Sequence, residues 1–341
     1  MLPSLPPMIC KTLLLLVLLV CLDGVNPGES TSVNDDDERI HLMFILTNVD
    51  SNWHIARRFT IYAESLLATT DAAITIHAIV DDGGKRHVRK YFPESVAPRV
   101  QVVFYDRDDV TDQILQFVTD MRSHFSSSNT SYYHDAIFFV GPVVYRVLPD
   151  TVKRVIITDT DLKFLADIRG LWSRFEQFTD EQVIGLAHDA QPVYYHIFHK
   201  HRQANPGTRV GAPPPDGLPG FNSGVMLQDL EKMRDADAYR NVLDPKLVAQ
   251  LADKYQFKGH LGDQDLYSLL VVEHEHLFHT LPCNWNRQLC RWWERGYQDV
   301  FEKFFNCDGP VKIYHGNCGT AIPEGDGTET GGDAGLEKAE L

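Results

Sequence analysis

Along this chain the apolar positions switch repeatedly between the strand period and the helix period. Residues 41–46 form an apolar run that ends at Thr47-Asn48 and predicts a buried first strand. Over residues 55–67 the apolar side chains Ile55, Phe59, Tyr62 and Leu66 return at helical spacing. Residues 73–80 are a second apolar run, closed by Asp81-Asp82-Gly83-Gly84, and residues 100–104 are a third. The helical period resumes over residues 112–125, with Ile114, Leu115, Phe117, Val118 and Met121 on one side. Residues 138–148 fit a helix or a short strand, and residues 152–158 are short, β-rich and apolar at Val155, Ile156 and Ile157. Strands alternating with helices predict an α/β fold, with a mostly parallel central sheet covered on both faces. Ligands of such sheets bind beyond the carboxyl ends of the strands. No internal repeat is visible, and no GxGxxG follows the first strand.

The amino terminus follows a different pattern. Lys11 precedes an unbroken apolar run over residues 12–22. Eleven residues rise about 16 Å as a helix, about half of a ~30 Å hydrocarbon core. We therefore assign residues 1–24 to a signal peptide, or to a short signal-anchor that attaches the chain to a membrane. Residues 25–39 form a linker that contains the acidic run 35–38. The folded domain is expected from Ile40 to about residue 320. Residues 321–341 are rich in Gly and Thr, lack aromatics and carry Glu324, Asp326, Glu329, Asp333, Glu337 and Glu340 against Lys338, so they read as a disordered acidic tail.

Composition narrows the function. With 341 residues, 43% of them hydrophobic, the chain can bury a sizeable core. A net charge of −15 argues against a nucleic-acid partner, because such binding rests on Lys and Arg neutralising phosphates. Asn129-Thr130-Ser131 is an N-glycosylation acceptor in a polar stretch. Cys283, Cys290, Cys307 and Cys318 crowd the last part of the chain, and in an oxidising lumen they predict two disulfides with three possible connectivities. A zinc site is the rival reading, weakened by the lack of any CxxC pair. Leader, acceptor triplet and cysteines together place the protein in the lumen of the secretory pathway.

The candidate chemistry begins where the run 152–158 delivers Asp159-Thr160-Asp161 to its end. While the chain stays extended, period-two alternation points both carboxylates the same way. Two close carboxylates repel, and a divalent cation offsets that cost. Mg²⁺ or Mn²⁺ held there can bridge a diphosphate and neutralise charge as it leaves. Residues 311–317 form another short strand, ending in His315-Gly316-Asn317. An imidazole ligand from His315 favours Mn²⁺ over Mg²⁺. Gly316 would let the backbone approach a phosphate, and Lys312 could help neutralise it.

Taken in order, Asp159-x-Asp161, Asn222-Ser223-Gly224-Val225, Leu261-Gly262-Asp263-Gln264-Asp265 and His315-Gly316-Asn317 resemble the family 8 retaining glycosyltransferases over residues 40–320. The stretch from Cys283-Asn284-Trp285-Asn286 through Trp292-Trp293, with Cys307 to Cys318, is similar to the branch that adds xylose in α-1,3 linkage to xylosides. The resemblance implies a GT-A fold, a UDP-xylose donor and Mn²⁺ held by Asp159, Asp161 and His315. It implies that Thr47 and Asn48 line the nucleotide pocket, that Asn222 and Asp263 approach the donor sugar, and that Gln264 sits near its reactive face. The implied acceptor is xylosyl-glucose O-linked to an EGF-like repeat of Notch type, in the endoplasmic reticulum, with the Golgi as the other compartment. Many relatives carry Asn three residues after the Asp-Gln-Asp unit, where this chain has Ser268.

The residues themselves bound the mechanism. Retention by double displacement needs a carboxylate nucleophile, for which Asp263 is the candidate; Gln264 is a poor one because it is an amide. A front-face route lets the departing phosphate take the acceptor proton, and it is the expected one. Trp285, Trp292 and Trp293 fit a sugar-stacking platform or packing beside the disulfides. His274, His276 and His279 read as surface or core histidines, and Asp81-Asp82 as a helix-capping turn. Residues 212–219, with four prolines, fit a lid or a plain connector. The rival functions are a related UDP-hexose transferase (glucosyl- or galactosyl-), a catalytically silent lumenal glycan-binding protein, and a metal-dependent hydrolase, for which no water-activating base is evident.

Overall fold

In the computed structural model, residues 39–126 and 134–324 are described. The leader and most of the linker, the Asn129-Thr130-Ser131 triplet and the tail from residue 325 onward lie outside the described residues.

The first strands form where the apolar runs are. β1 (Ile40–Leu46), β2 (Ile74–Val80) and β3 (Val100–Asp106) pair in parallel and in continuous register. All seven residues of β2 are buried, as expected of a strand covered on both faces. Its one polar aromatic, His77, is bonded to His41 and to the Tyr105 hydroxyl, and burial pushes its imidazole down to about 4. α1 (Trp53–Thr69) connects β1 to β2. Asn52 caps it by accepting the His54 N–H, and it buries Phe59, Tyr62, Ala63 and Leu66 on one face. α2 (Asp82–Tyr91) follows β2, capped by Asp81 as the sequence indicates.

Two boundaries differ from expectation. The helix predicted over residues 112–125 starts earlier: α3 is Arg107–Phe125. Asp106 caps it, and Asp108 and Asp109 complement the positive end of its dipole, so the helix begins five residues early and adds Val110 to its buried face. Residues 138–148 are neither a regular helix nor a strand. They form 3₁₀ turns at Ala136–Phe139 and Gly141–Arg146, the second opened by Pro142.

The main sheet has seven strands in the order β3-β2-β1-β4-β7-β6-β8, completed by β4 (Arg154–Thr158), β6 (Ile184–His188), β7 (Phe221–Asp229) and β8 (Phe278–Thr280). All neighbours pair in parallel except β7, which runs antiparallel to both β4 and β6. A second sheet, β5-β10-β9, consists of β5 (Leu162–Phe164), β9 (Arg287–Gln288) and β10 (Ile313–His315). α4 (Pro245–Tyr255) and α5 (Asp263–His274) complete the longer helices. The disulfides are Cys283–Cys307 and Cys290–Cys318, which selects one of the three connectivities and removes the zinc alternative.

This topology gathers the motifs at one place. β4 ends at Thr158 beside Phe44 of β1, so Thr47-Asn48 and Asp159-Thr160-Asp161 leave the same edge of the sheet. Because β7 is antiparallel, its start, not its end, lies there: Val225 pairs with Thr158, and the Asp159 N–H donates to the Gly224 carbonyl at 2.9 Å.

Candidate metal centre and active site

Asp159, Thr160 and Asp161 occupy the bend where the chain leaves the main sheet at β4 and enters the small sheet at β5. The two carboxylates do converge, through this bend and not through continued strand alternation. Leu162 pairs directly with His315 of β10, and the Gly316 N–H donates to the Asp161 carbonyl at 2.8 Å. That register brings a histidine from the far end of the chain onto the acidic pair. His315 Nε2 lies 3.3 Å from an oxygen of Asp159 and 3.3 Å from one of Asp161. The ligand atoms of all three lie within 4.8 Å of one another, the one such grouping among the described residues.

The second face of the imidazole is fixed as well. His315 Nδ1 is 2.9 Å from Asn286 Oδ1, which makes Nδ1 a donor to Asn286 and turns Nε2 toward the carboxylates. Asn286 Nδ2 donates to Asn222 Oδ1 at 2.8 Å, and Asn222 Nδ2 donates to Gln264 Oε1 at 3.0 Å. Gln264 Nε2 donates to Asp189 Oδ2 at 3.2 Å and to the Tyr194 hydroxyl at 3.3 Å, and Tyr194 donates to Asp265 at 3.0 Å. One directed chain of buried hydrogen bonds thus runs from the histidine to the Asp-Gln-Asp unit. Networks of this kind hold first ligands in orientation.

Local backbone features explain the motifs. Between Leu186 and Ala187 of β6 the partner on β7 jumps from Met226 to Asn222, so residues 223–225 bulge out of that pairing and Asn222 is re-aimed into the network. A β-carbon on Gly224 would lie 2.2 Å from His315 Cε1, so only glycine lets the ring lie there. Gly262 caps α5 at φ 67°, ψ −129°, a conformation for glycine alone, and it starts the helix so that Asp263 and Gln264 enter the site in its first turn. Ser268, where relatives carry Asn, accepts the Phe221 N–H at 3.0 Å and anchors the start of β7.

Electrostatics follow the crowding of acids. Burial alone would lower His315, but Asp161 and Asp159 outweigh it and raise the imidazole to about 10. Asp161 is held below the usual carboxylate range: burial opposes this, and the charges of His315 and Arg58 overcome it. Burial first, and then the Asp159 charge, push Asp263 up to about 8. Burial, with Asp265 adding to it, pushes Asp189 up to about 7.

Other predicted residues fall as follows. Asn48 is exposed at φ 61°; its N–H donates to Asp81 at 2.7 Å and its amide reaches Thr47 at 3.3 Å, so the loop after β1 is tied to the loop after β2. The structure does not bring Lys312 to the triad. Lys312 lies at a bend just before β10, and its ammonium sits 4.6 Å over the Trp285 ring. Gly316 is packed against Thr320 and Ile322, and its N–H is already used. Trp285 is core, 1% exposed, whereas Trp292 is 57% exposed and Trp293 packs with His196 and Tyr297, so the three form no common platform. His279 stacks on Phe178, while His274 and His276 pair edge-on, and the three do not converge. Sequence reasoning missed Asn286, Arg58 and Asp189. For Asp189 a signal existed, since an apolar run over residues 183–187 leads into it just as another leads into Asp159.

The comparisons agree with this geometry. No protein-family model matches the chain. A human protein, xyloside xylosyltransferase 1, is 44% identical over 293 residues, covering 83% of this chain and 75% of that relative. The chain belongs to the xyloside xylosyltransferase family. It is thus a glycosyltransferase. The crystal structure of mouse xyloside xylosyltransferase 1 in its apo form matches with a TM-score of 0.80 at 42% identity, over 84% of this chain and 100% of that one. The galactosyltransferase LgtC, in complex with donor and acceptor sugar analogues, matches with a TM-score of 0.51 at 15% identity over 81% of this chain and 86% of its own, and shares the fold alone. The fold of this family member is GT-A, with a mostly parallel sheet. Two carboxylate oxygens and an imidazole nitrogen already oriented from behind form a donor set that fits a divalent first-row cation.

Proposed function

We propose that this chain moves xylose from UDP-xylose, with retention, onto a xylosyl-glucose O-glycan of EGF-like repeats of Notch type. The proposed compartment is the lumen of the secretory pathway, in the endoplasmic reticulum. The observation that carries the reading is the Asp159–Asp161–His315 triad, in a chain 44% identical to a human protein named for xylose transfer to a xyloside. The two disulfides support an oxidising compartment. Among the described residues no helix is long and apolar enough to cross a membrane.

In this reading Asp159, Asp161 and His315 hold Mn²⁺. When bound, the ion neutralises charge on the departing diphosphate. Thr47 and Asn48 line the nucleotide end of the cleft, at the carboxyl edge of β1. Asn222 and Asp263 face the donor sugar. Both groups of the Gln264 amide are already hydrogen-bonded, so it acts by holding Asn222 and the Ser223 N–H in place. Asp263 is the candidate nucleophile, yet burial and the Asp159 charge favour its neutral acid, which does not attack carbon. That supports the front-face route, in which the acceptor hydroxyl approaches from the side that UDP leaves and the departing phosphate takes its proton.

The test is UDP release from UDP-xylose, UDP-glucose and UDP-galactose, with Mn²⁺ or chelator, with and without a xylosyl-glucose acceptor, alongside Asp161→Asn. Release from UDP-xylose that needs both metal and acceptor and vanishes in the variant is the expected result. Turnover of a hexose donor in its place would move the protein to another transferase activity.

A further inference from the structure

A departing nucleoside diphosphate brings two phosphates next to two carboxylates, and one divalent ion cannot balance all of that charge. The protein therefore needs a cation of its own, and the sequence offers Lys312. The structure gives that ammonium to Trp285. A different cation lies on α1.

α1 follows β1 and leads to the parallel strand β2, so it runs antiparallel to both and to β4. Its inner face touches the β4–β5 segment at two points. The Tyr62 hydroxyl is 2.8 Å from Thr158 Oγ1, and Ser65 Oγ accepts the Phe164 N–H at 3.0 Å. Arg58 is four residues before Tyr62, on the same stripe, about 6 Å nearer the helix amino terminus. Moving that way from Tyr62 passes Thr158 and reaches the level of Asp159-Thr160-Asp161. Arg58 is half-buried. Among the described residues it makes no hydrogen bond, and no carboxylate oxygen lies within 4.0 Å of its guanidinium. A half-buried arginine whose guanidinium has no partner, beside the candidate metal centre, has its donors available for a ligand.

We propose that Arg58 binds the diphosphate of the nucleotide-sugar donor and neutralises its outer phosphate as the sugar leaves. The planar fork of an arginine suits phosphate oxygens, which it can engage two at a time. The inference rests on the nucleotide-sugar reading above, and it places the protein's own share of leaving-group stabilisation on the helix behind β4.

Calorimetry with the full chain in Mn²⁺ tests it, using UDP and UMP as probes. UMP lacks the outer phosphate but keeps the rest of the nucleotide. Arg58→Ala should weaken UDP by about tenfold to a hundredfold, the range of a hydrogen bond to a charged group, and UMP by no more than about threefold. Arg58→Lys should recover part of the UDP loss. Arg57→Ala, one residue away on the exposed side of α1, should leave both affinities unchanged. Equal losses for UDP and UMP, or no loss for either, would overturn the assignment. If Arg58→Ala fails to fold, judged by its melting curve, the UDP-to-UMP contrast is read on Arg58→Gln and Arg58→Lys. Wild-type protein that binds no UDP refutes the nucleotide reading itself, whereas intact wild-type binding with an unchanged Arg58→Ala refutes Arg58 alone.

Discussion

Gly224 leaves no space between its α-carbon and the His315 imidazole: a β-carbon there would lie 2.2 Å from Cε1. The ring cannot retreat, because Asn286 holds its other nitrogen. Gly224→Ala should therefore turn His315 off the acidic pair while the sheet stays folded. We expect Mn²⁺ affinity to drop by at least about tenfold with little change in secondary structure, as read by calorimetry and circular dichroism. Unchanged affinity would mean that the ring has freedom the packing does not show.

Asn286 does not touch the metal position, yet it fixes which nitrogen of His315 faces it. Asn286→Ala should cost about tenfold to a hundredfold in metal affinity. It should also leave Asn222 Oδ1 without its partner, a penalty of about 1–3 kcal/mol in a urea titration. A variant with normal metal binding would separate the network from the metal centre.

Metal binding should depend on pH with a defined sign. Without metal, Asp161 and Asp159 raise His315 to about 10 against the opposing effect of burial, so the folded protein carries a proton at Nε2 that a cation must displace. Mn²⁺ affinity is expected to rise by about tenfold per pH unit between pH 6 and 9, with one proton released. Metal-free stability should run the other way: the His315 contribution is fully present below about pH 6.5 and is lost as pH climbs through 10. Potentiometric titration during metal addition measures the proton directly, and a pH-independent affinity would contradict the arrangement.

Asp189 is raised to about 7, mainly by burial. The folded chain then keeps a proton that the unfolded chain has shed above about pH 4. Stability falls as pH rises from about 4 to 7 and levels off above that. Asp189→Asn should remove as much as about 1.4 kcal/mol per pH unit from that slope. Denaturant midpoints at four pH values would show it, and an unaltered slope would place the burial elsewhere.

Cys290–Cys318 closes a sequence separation of 28 and ends three residues past His315. Loop-closure entropy gives it about 3.5 kcal/mol of stability. Cys290→Ser with Cys318→Ser should lower stability by about that amount and should weaken Mn²⁺ binding too. Loss of stability with intact metal binding would show that the disulfide braces the fold and not the ligand.

Much of this site could be read from residue order, for reasons that differ by residue. Asp159 and Asp161 stood out because an apolar strand delivered them, and the strand is real. Their convergence came from a bend between two sheets, which no alternation rule foresees. Lys312 looked suitable by charge and proximity in sequence, but it sits at a bend ahead of β10, where the ring of Trp285 was within reach. Asn286 and Arg58 were illegible because each becomes relevant only through pairing at long range, Asn286 with His315 and Arg58 through the packing of α1 on β4. The antiparallel insertion of β7 was equally hidden, and it alone explains how a mid-chain Asn-Ser-Gly meets strand ends that precede it. Helix starts drifted where capping acids such as Asp106 lengthened a helix beyond its apolar stripe.

The metal centre joins residues made at very different times. A ribosome releases the two acids long before it releases His315, and the crosslink to Cys318 can close only after the histidine has emerged. Every strand of the main sheet precedes residue 281 in the chain, whereas the triad is complete only once His315 has been made.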